Sequence, residues 1–119
     1  MSLSARGTAA RRRRQAPVFA ALGDETRLTL IAQLCASDGQ SITQLTAGSS
    51  KAGSSLTRQA ITKHLRVLEE AGLVRSLHSG RMTLFEFVPQ PLDTARDYLD
   101  FVATEWDQAL GRLKVFVED

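Results

Sequence analysis

The fold of this chain is decided by one stretch, Thr57-Arg58-Gln59-Ala60-Ile61-Thr62-Lys63-His64-Leu65-Arg66-Val67-Leu68-Glu69-Glu70-Ala71-Gly72. Thr57 is a good N-cap, because its hydroxyl can accept a hydrogen bond from the backbone of the first helical turn. Ile61, Leu65 and Leu68 then recur at spacings of four and three, which marks one buried face of an α-helix. Gly72 suits the end of that helix. The stretch therefore predicts an amphipathic helix over residues 58–71.

The opposite face of this predicted helix is basic and rich in hydrogen-bonding groups. Burial of the apolar stripe leaves Arg58, Thr62 and Arg66 in one exposed row, and Gln59 and Lys63 lie in the next. Arg and Lys match the acceptors of guanine in the major groove, Gln matches adenine, and Thr offers a hydroxyl and a methyl group. An ordinary solvated helix has the same charge pattern, so the flanking elements have to separate the two interpretations.

Three shorter helices are predicted upstream. Pro17 suits the first turn of the first helix, and Gly23 marks its end. Asp24 is a good N-cap for the second, whose apolar stripe includes Cys35, so we expect this cysteine to face the core. A Ser-x-x-Gln capping box at Ser41 starts the third.

A loop and a hairpin complete the pattern around the basic helix. Residues 48–55 are rich in glycine and serine and predict a loop. Residues 73–78 and 82–88 carry alternating or branched apolar residues, and the glycine between them suits a hairpin turn. Helix, turn, helix and hairpin in this order predict a winged helix-turn-helix, a mainly α fold with a small β-hairpin. The hairpin tip presents His78 and Arg81.

A long apolar stripe occupies the C-terminal part of the chain. After Pro91, apolar residues recur every three or four positions as far as Val117. A helix over 92–117 would be about 39 Å long, which is comparable with the diameter of the domain. One small core can hardly cover such a stripe, so a second subunit is the expected partner. Trp106 lies in the stripe and is typical of interface packing, although it could instead line an effector pocket.

Charge is unevenly distributed along the 119 residues, although the net charge is only +2. Residues 51–81 hold six basic residues and two acids, whereas residues 82–119 hold three basic residues and eight acids. This asymmetry predicts one face for a polyanion and another kept away from it. Residues 1–15 hold five arginines and no acid, and they predict a disordered basic tail before a single domain over 16–119. The run Arg11–Arg14 either attracts phosphate or only adds solubility.

Other functional classes find little support in the sequence. No apolar run approaches the roughly 20 residues of a membrane span, and a single cysteine excludes an internal disulfide, so we expect a cytoplasmic protein with no membrane partner. His64 and His78 have no ligand-type neighbour at zinc spacing. Acidic pairs such as Asp97 with Asp100 occur without a phosphate loop or a nucleophile motif. The sequence therefore predicts no enzyme, no metal site and no cofactor.

Two strings resemble the ArsR-type winged-helix repressors of prokaryotes. They are Leu22-Gly23-Asp24-Glu25-Thr26-Arg27 and the stretch from Arg58 to Val74, and the resemblance extends from about Pro17 to the C-terminus. It implies a homodimer joined by the first and last helices, with two recognition helices that read a two-fold symmetric operator on double-stranded DNA. It also implies that a small-molecule effector, where one exists, lowers DNA affinity.

Carried over by position, the resemblance implies base contacts for the first four exposed polar residues of the helix and a phosphate contact for His64. The predicted DNA-binding residues are Arg58, Gln59, Thr62, Lys63, His64, Arg66, His78 and Arg81. The predicted dimer interface consists of Val18, Phe19, Leu22, Leu99, Val102, Trp106, Leu110 and Leu113. The alternative is a winged-helix protein-interaction module, whose basic face binds an acidic protein without specific DNA binding.

The family's metal sensors place cysteines in the third helix, or histidines and carboxylates in the last. Residues 41–46 contain no cysteine, and residues 91–119 contain no histidine. Neither type of metal site is therefore predicted.

Overall fold

Side-chain caps set the helix boundaries in the computed structural model, which describes residues 2–51 and 56–118. Asp24, Ser41 and Thr57 each accept a hydrogen bond from the backbone N–H three residues later, at 3.0, 3.2 and 3.1 Å. The Ser41 capping box is complete, because the side-chain oxygen of Gln44 accepts from the Ser41 N–H at 2.9 Å. Gly72 follows the end of the basic helix that Thr57 caps, and its φ of +79° is a conformation that favours glycine. The three helix starts that were predicted from capping residues, after Asp24, Ser41 and Thr57, are confirmed.

Five helices and one hairpin make up the described residues. In chain order they are α1 (Ser2–Leu22), α2 (Glu25–Cys35), α3 (Ile42–Lys51), α4 (Arg58–Glu70), β1 (Val74–Ser79), β2 (Met82–Phe87) and α5 (Gln90–Glu118). The predicted mainly α fold with a small winged hairpin is therefore confirmed.

The core lies where α2, α3 and α4 meet the start of the hairpin. Its most completely buried large side chains, each at most 2% exposed, are Leu30, Leu34, Leu45, Ile61, Leu65, Leu68, Leu73 and Val74. The three predicted stripe residues of α4 are all in this set. Because that stripe faces the core, the basic side of α4 is held toward solvent.

The hairpin is attached to the beginning of α3. Strands β1 and β2 pair antiparallel from Val74 opposite Phe87 to Ser79 opposite Met82, and Gly80 in the turn has a φ of +62°. Gln40 forms a β-bridge with Phe85, with N–H···O distances of 2.9 and 2.8 Å. This bridge fixes the wing beside the helix-turn-helix.

The prediction for the N-terminal segment was wrong. Residues 2–22 form one helix, with Pro17 inside it rather than at its start, where disorder was expected up to residue 15. Arginine and alanine both favour helix, so this segment needs no apolar period to be helical. The segment also contacts α5, because the Arg11 guanidinium lies 5.6 and 5.0 Å from the ring centroids of Tyr98 and Phe101. These contacts join partners far apart in sequence.

Two further predictions need correction. Cys35 is exposed rather than core-facing, because the buried side of α2 is formed by Leu30, Ile31 and Leu34 and the helix ends at the cysteine. The predicted loop over 48–55 is helical up to Lys51, and its remaining residues, 52–55, lie outside the described part. Gly48 lies within this helix and packs closely against α2, since a Cβ there would lie 3.0 Å from the Gln33 side chain.

Candidate nucleic-acid interface

The exposed side of α4 lines an open groove. Arg58, Gln59, Lys63 and Arg66 are exposed and Thr62 is half-buried. These five predicted residues, together with Ile42 of α3, surround a volume of about 560 Å³. No described residue that lines this groove is acidic. The structure therefore brings together five of the eight predicted DNA-binding residues on one cationic surface.

A second groove continues this surface toward the wing. It encloses about 510 Å³ between the start of α3, Arg58 of α4 and the start of β2. Its lining residues are Ser41, Ile42, Thr43, Gln44, Arg58, Arg81, Met82 and Thr83. Arg58 and Ile42 line both grooves, and Arg81 lines the second from the wing. None of the described residues that line the second groove is acidic. The two grooves form one surface, which we call the basic face.

Arg58 is held in place by a residue that the sequence reasoning missed. Its guanidinium donates a hydrogen bond to Thr43 Oγ1 on α3 at 3.0 Å. Thr43 lies in the first turn of α3, on the helix that packs beside the recognition helix in a helix-turn-helix. The sequence position of Thr43, at the start of the helix before the recognition helix, could have identified it, because the first helix of this motif commonly approaches the phosphate backbone.

Thr62 uses its hydroxyl within the helix. The hydroxyl donates to the Arg58 carbonyl oxygen at 2.8 Å, as threonine commonly does four residues along a helix. Its hydroxyl proton is therefore occupied in this structure, and the methyl group and the oxygen lone pairs remain for contacts outside the helix.

The two histidines do not line the basic face. His78 is exposed on β1, and its Nδ1 lies 3.4 Å from Thr83 Oγ1 on the neighbouring strand. His64 is half-buried at the edge of α4, with Nδ1 3.4 Å from the Arg27 guanidinium and 3.9 Å from Asp24 Oδ2. Neither histidine lines either of the two grooves.

The pKa of Asp24, which lies near His64, is lowered in the folded protein. The hydrogen bond from the backbone N–H of Arg27 lowers the pKa of Asp24 below its usual 3.8. Burial has a smaller effect that raises this pKa, and the Arg27 and His64 side chains lower it further. A carboxylate whose pKa is lowered by folding stabilises the protein above its unfolded-state pKa, and this contribution is lost as pH falls through the folded-state value.

We predict that Asp24→Asn makes the unfolding temperature less sensitive to acid. Asparagine caps a helix about as well as aspartate but does not titrate. The amount by which the unfolding temperature of the wild type exceeds that of the variant should therefore shrink as pH falls from 5 toward 2. Thermal unfolding of both proteins across this range measures the effect. A difference in unfolding temperature between the two proteins that stays constant with pH would contradict this role of the carboxylate.

The predicted dimer residues divide into two groups. On α5, Leu99, Val102, Trp106, Leu110 and Leu113 are 41–63% exposed, so they form an uncovered apolar stripe. On α1, Phe19 and Leu22 are half-buried and pack against the core. Val18 is only 7% exposed and belongs to that core, so its assignment to the dimer interface is corrected. It shares one face of α1 with the buried Ala21, three residues later, and this face packs inward.

A basic helix packed on a preceding helix and followed by a β-hairpin defines a winged helix-turn-helix protein. Residues 22–76 match a family model described as a helix-turn-helix domain. The chain is 42% identical over 76 residues to YuzN, an uncharacterised HTH-type transcriptional regulator of Bacillus subtilis (strain 168), covering 63% of this chain and 83% of the relative.

Solved structures agree with this class. An ArsR-like transcriptional regulator from Rhodococcus sp. RHA1 is 33% identical, with a TM-score of 0.80 over 92% of this chain and 95% of that one. A homodimeric winged helix-turn-helix DNA-binding domain from Mycobacterium bovis, a possible ArsR-family regulator, is 21% identical, with a TM-score of 0.61 over 82% and 84% of the two chains.

The chain belongs to the ArsR-type family of winged helix-turn-helix transcriptional regulators. Its family and fold are those of DNA-binding regulators rather than enzymes, as the sequence predicted. Within residues 2–51 and 56–118, no group of three or more His, Cys, Asp or Glu side chains could hold a metal ion. No helix in that part of the chain is both long and apolar enough to cross a membrane.

Proposed function

We propose that this regulator is a repressor that binds an inverted-repeat operator in the cytoplasm as a homodimer. The observation that carries the proposal is the basic face, in which four cationic side chains and no described acid line two grooves joined at Arg58. Double-stranded DNA is the partner that fits such a surface, because phosphates attract its charge and base edges match its hydrogen-bonding groups.

The proposed roles follow from position on the basic face. Arg58, Gln59, Thr62 and Lys63 lie in the first two turns of α4, which enter deepest into the major groove in helix-turn-helix complexes. Arg66 lies one turn further along and Arg81 on the wing, so we assign both to flanking phosphates. His78 is exposed on the same wing and is assigned to the flank as well.

The uncovered stripe of α5 supports the homodimer. The helix has 29 residues and is therefore about 43 Å long, and five large apolar residues of the predicted interface remain exposed along it. A contiguous apolar surface of this kind marks a site of protein association. One structural neighbour is a homodimeric DNA-binding domain, and a two-fold dimer would present two copies of α4 to two half-sites.

Repression would follow from operator occupancy, and any effector would act by lowering operator affinity. Trp106 is 63% exposed, so in a single chain it lies on a surface rather than inside a pocket. This exposure favours the interface role over an effector pocket formed within one chain.

Selection of random duplexes on the purified protein tests the proposal. We expect enrichment of one inverted repeat with half-site centres about 34 Å apart, because two recognition helices then enter successive turns of the major groove. Binding to that repeat should survive excess non-specific competitor and weaken steeply with salt. Recovery of no shared sequence, together with tight binding to an acidic protein, would favour the protein-interaction module instead.

We predict that Trp106→Ala weakens self-association at least about 30-fold, because a buried interface tryptophan typically contributes about 2 kcal/mol or more. Sedimentation velocity over a range of protein concentrations measures this change. The matched control is Glu105→Ala, which alters an adjacent exposed residue outside the apolar stripe and should leave the association constant unchanged. Equal association of Trp106→Ala and wild type would remove Trp106 from the interface.

A further inference from the structure

One arginine connects the end of α1 with the recognition helix. The Arg27 side chain donates through Nε to the Ala21 carbonyl oxygen at 2.6 Å and through a terminal nitrogen to the Ala20 carbonyl oxygen at 3.2 Å. Its other terminal nitrogen lies 3.4 Å from His64 Nδ1 on α4. The last carbonyls of a helix have no partners within it and carry its negative dipole end, so a guanidinium suits this position.

The chemistry of these contacts fixes the role of the histidine ring. A guanidinium has donors and no acceptor, so the Arg27 contact requires a lone pair on Nδ1 of His64. Asp24 Oδ2 is 3.9 Å from the same nitrogen, beyond hydrogen-bonding distance, and it accepts the Arg27 backbone N–H instead. Asp24 therefore anchors Arg27, and Arg27 in turn approaches both α1 and α4.

The placement of these contacts bears on the orientation of α4. At one edge of the basic face, Arg58 is tied to α3 through Thr43. At the other edge of the helix, His64 meets Arg27, while the buried stripe packs inward. Rotation of α4 about its own axis is therefore opposed at both edges, and the cluster at the second edge also includes the end of α1.

We propose that Asp24, Arg27 and His64 form a positioning cluster that sets the rotation of α4 relative to α1, and that His64 acts through Arg27 rather than as a phosphate ligand. The proposal gives a physical role to the Leu22–Arg27 string that the family resemblance singled out. It rests on the proposed function, because it assumes that α4 reads DNA. Phe19 and Leu22 lie on α1 next to the carbonyls that Arg27 binds, so the cluster also joins a predicted dimer element to the recognition helix.

A double-mutant cycle on the full chain tests this proposal with the duplex selected above. His64→Ala and Arg27→Lys should each lower operator affinity about 10-fold, on the scale of one charge-assisted hydrogen bond. Lysine keeps the charge but lacks the planar fork that reaches several acceptors at once. The double variant should bind no more weakly than the weaker single variant, because both changes break the same connection.

The salt dependence of operator affinity distinguishes a positioning role of His64 from a direct phosphate contact. Arg66→Ala, on the same helix, removes a proposed phosphate contact and should reduce the slope of log K against log salt by about 0.9 for each phosphate that the variant no longer neutralises. His64→Ala should lower affinity without changing that slope. His64→Gln, whose amide oxygen can accept from Arg27, should stay within about 3-fold of wild type, and it also serves if the alanine variant fails to fold.

Three results would overturn the proposal: additive losses in the cycle, a salt slope for His64→Ala as low as that for Arg66→Ala, or wild-type affinity in His64→Ala. Failure of the wild-type protein to select any duplex would defeat the proposed function, and this inference with it. A selected duplex with additive losses would defeat the inference alone. Matched unfolding temperatures confirm that affinity is compared between folded proteins.

Discussion

The affinity for the operator should fall at least about 30-fold for each protomer when Arg58 and Lys63 are both replaced by alanine. Both side chains line the groove on the exposed side of α4, and Arg58 also lines the groove beside the wing. A well-placed contact of this type contributes about 1–3 kcal/mol, so two contacts together account for about 2 kcal/mol or more. Fluorescence anisotropy titration of the selected duplex measures the loss.

The control for this variant removes the same charge from another part of the molecule. Arg96→Ala with Lys114→Ala also deletes one arginine and one lysine, and both residues are exposed on α5 and paired with acids of that helix. If affinity reflected only net charge, the two double variants would bind equally weakly. Equal binding would show that the basic face of α4 is not the site of specific recognition.

The second large effect concerns stability. Leu68→Ala should lower the free energy of unfolding by about 2–5 kcal/mol, because Leu68 is completely buried and the truncation leaves a cavity beneath α4. For a domain of roughly this size, such a loss corresponds to a decrease in the unfolding temperature of at least about 8 °C. Thermal unfolding at a fixed protein concentration measures it, since association makes the midpoint depend on concentration.

Val67→Ala provides the matched control on the same helix. Val67 is 38% exposed, so its truncation removes little buried surface and should change the unfolding temperature much less than Leu68→Ala. A similar decrease for both variants would mean that burial of the stripe does not dominate the stability of α4, because alanine favours helix at both positions.

The sequence was sufficient for the elements whose causes are local. The caps at Asp24, Ser41 and Thr57 depend on atoms three residues away, so the chain itself contains both partners of each hydrogen bond. The apolar period of α4 and the glycine in the hairpin turn are likewise local signals. These features placed the recognition helix and the wing correctly.

The features that the sequence did not reveal depend on distant partners. Arg11 meets Tyr98 and Phe101 across more than 80 residues, so an arginine-rich segment without an apolar period looked disordered although it packs on α5. The same reason applies to the contact between Arg27 and His64, which are 37 residues apart, and to that between Arg58 and Thr43. The prediction that Cys35 faces the core failed for a different reason, since this residue continues the apolar spacing of α2 beyond the point where the core ends.

In the proposed complex, two copies of this chain read one inverted repeat. Native mass spectrometry of the protein with the selected duplex, and with a duplex that carries only one half-site, measures how many chains bind each duplex. We expect two chains on the full repeat and markedly weaker binding to the half-site. One chain per duplex, with equal affinity for the full repeat and the half-site, would contradict it.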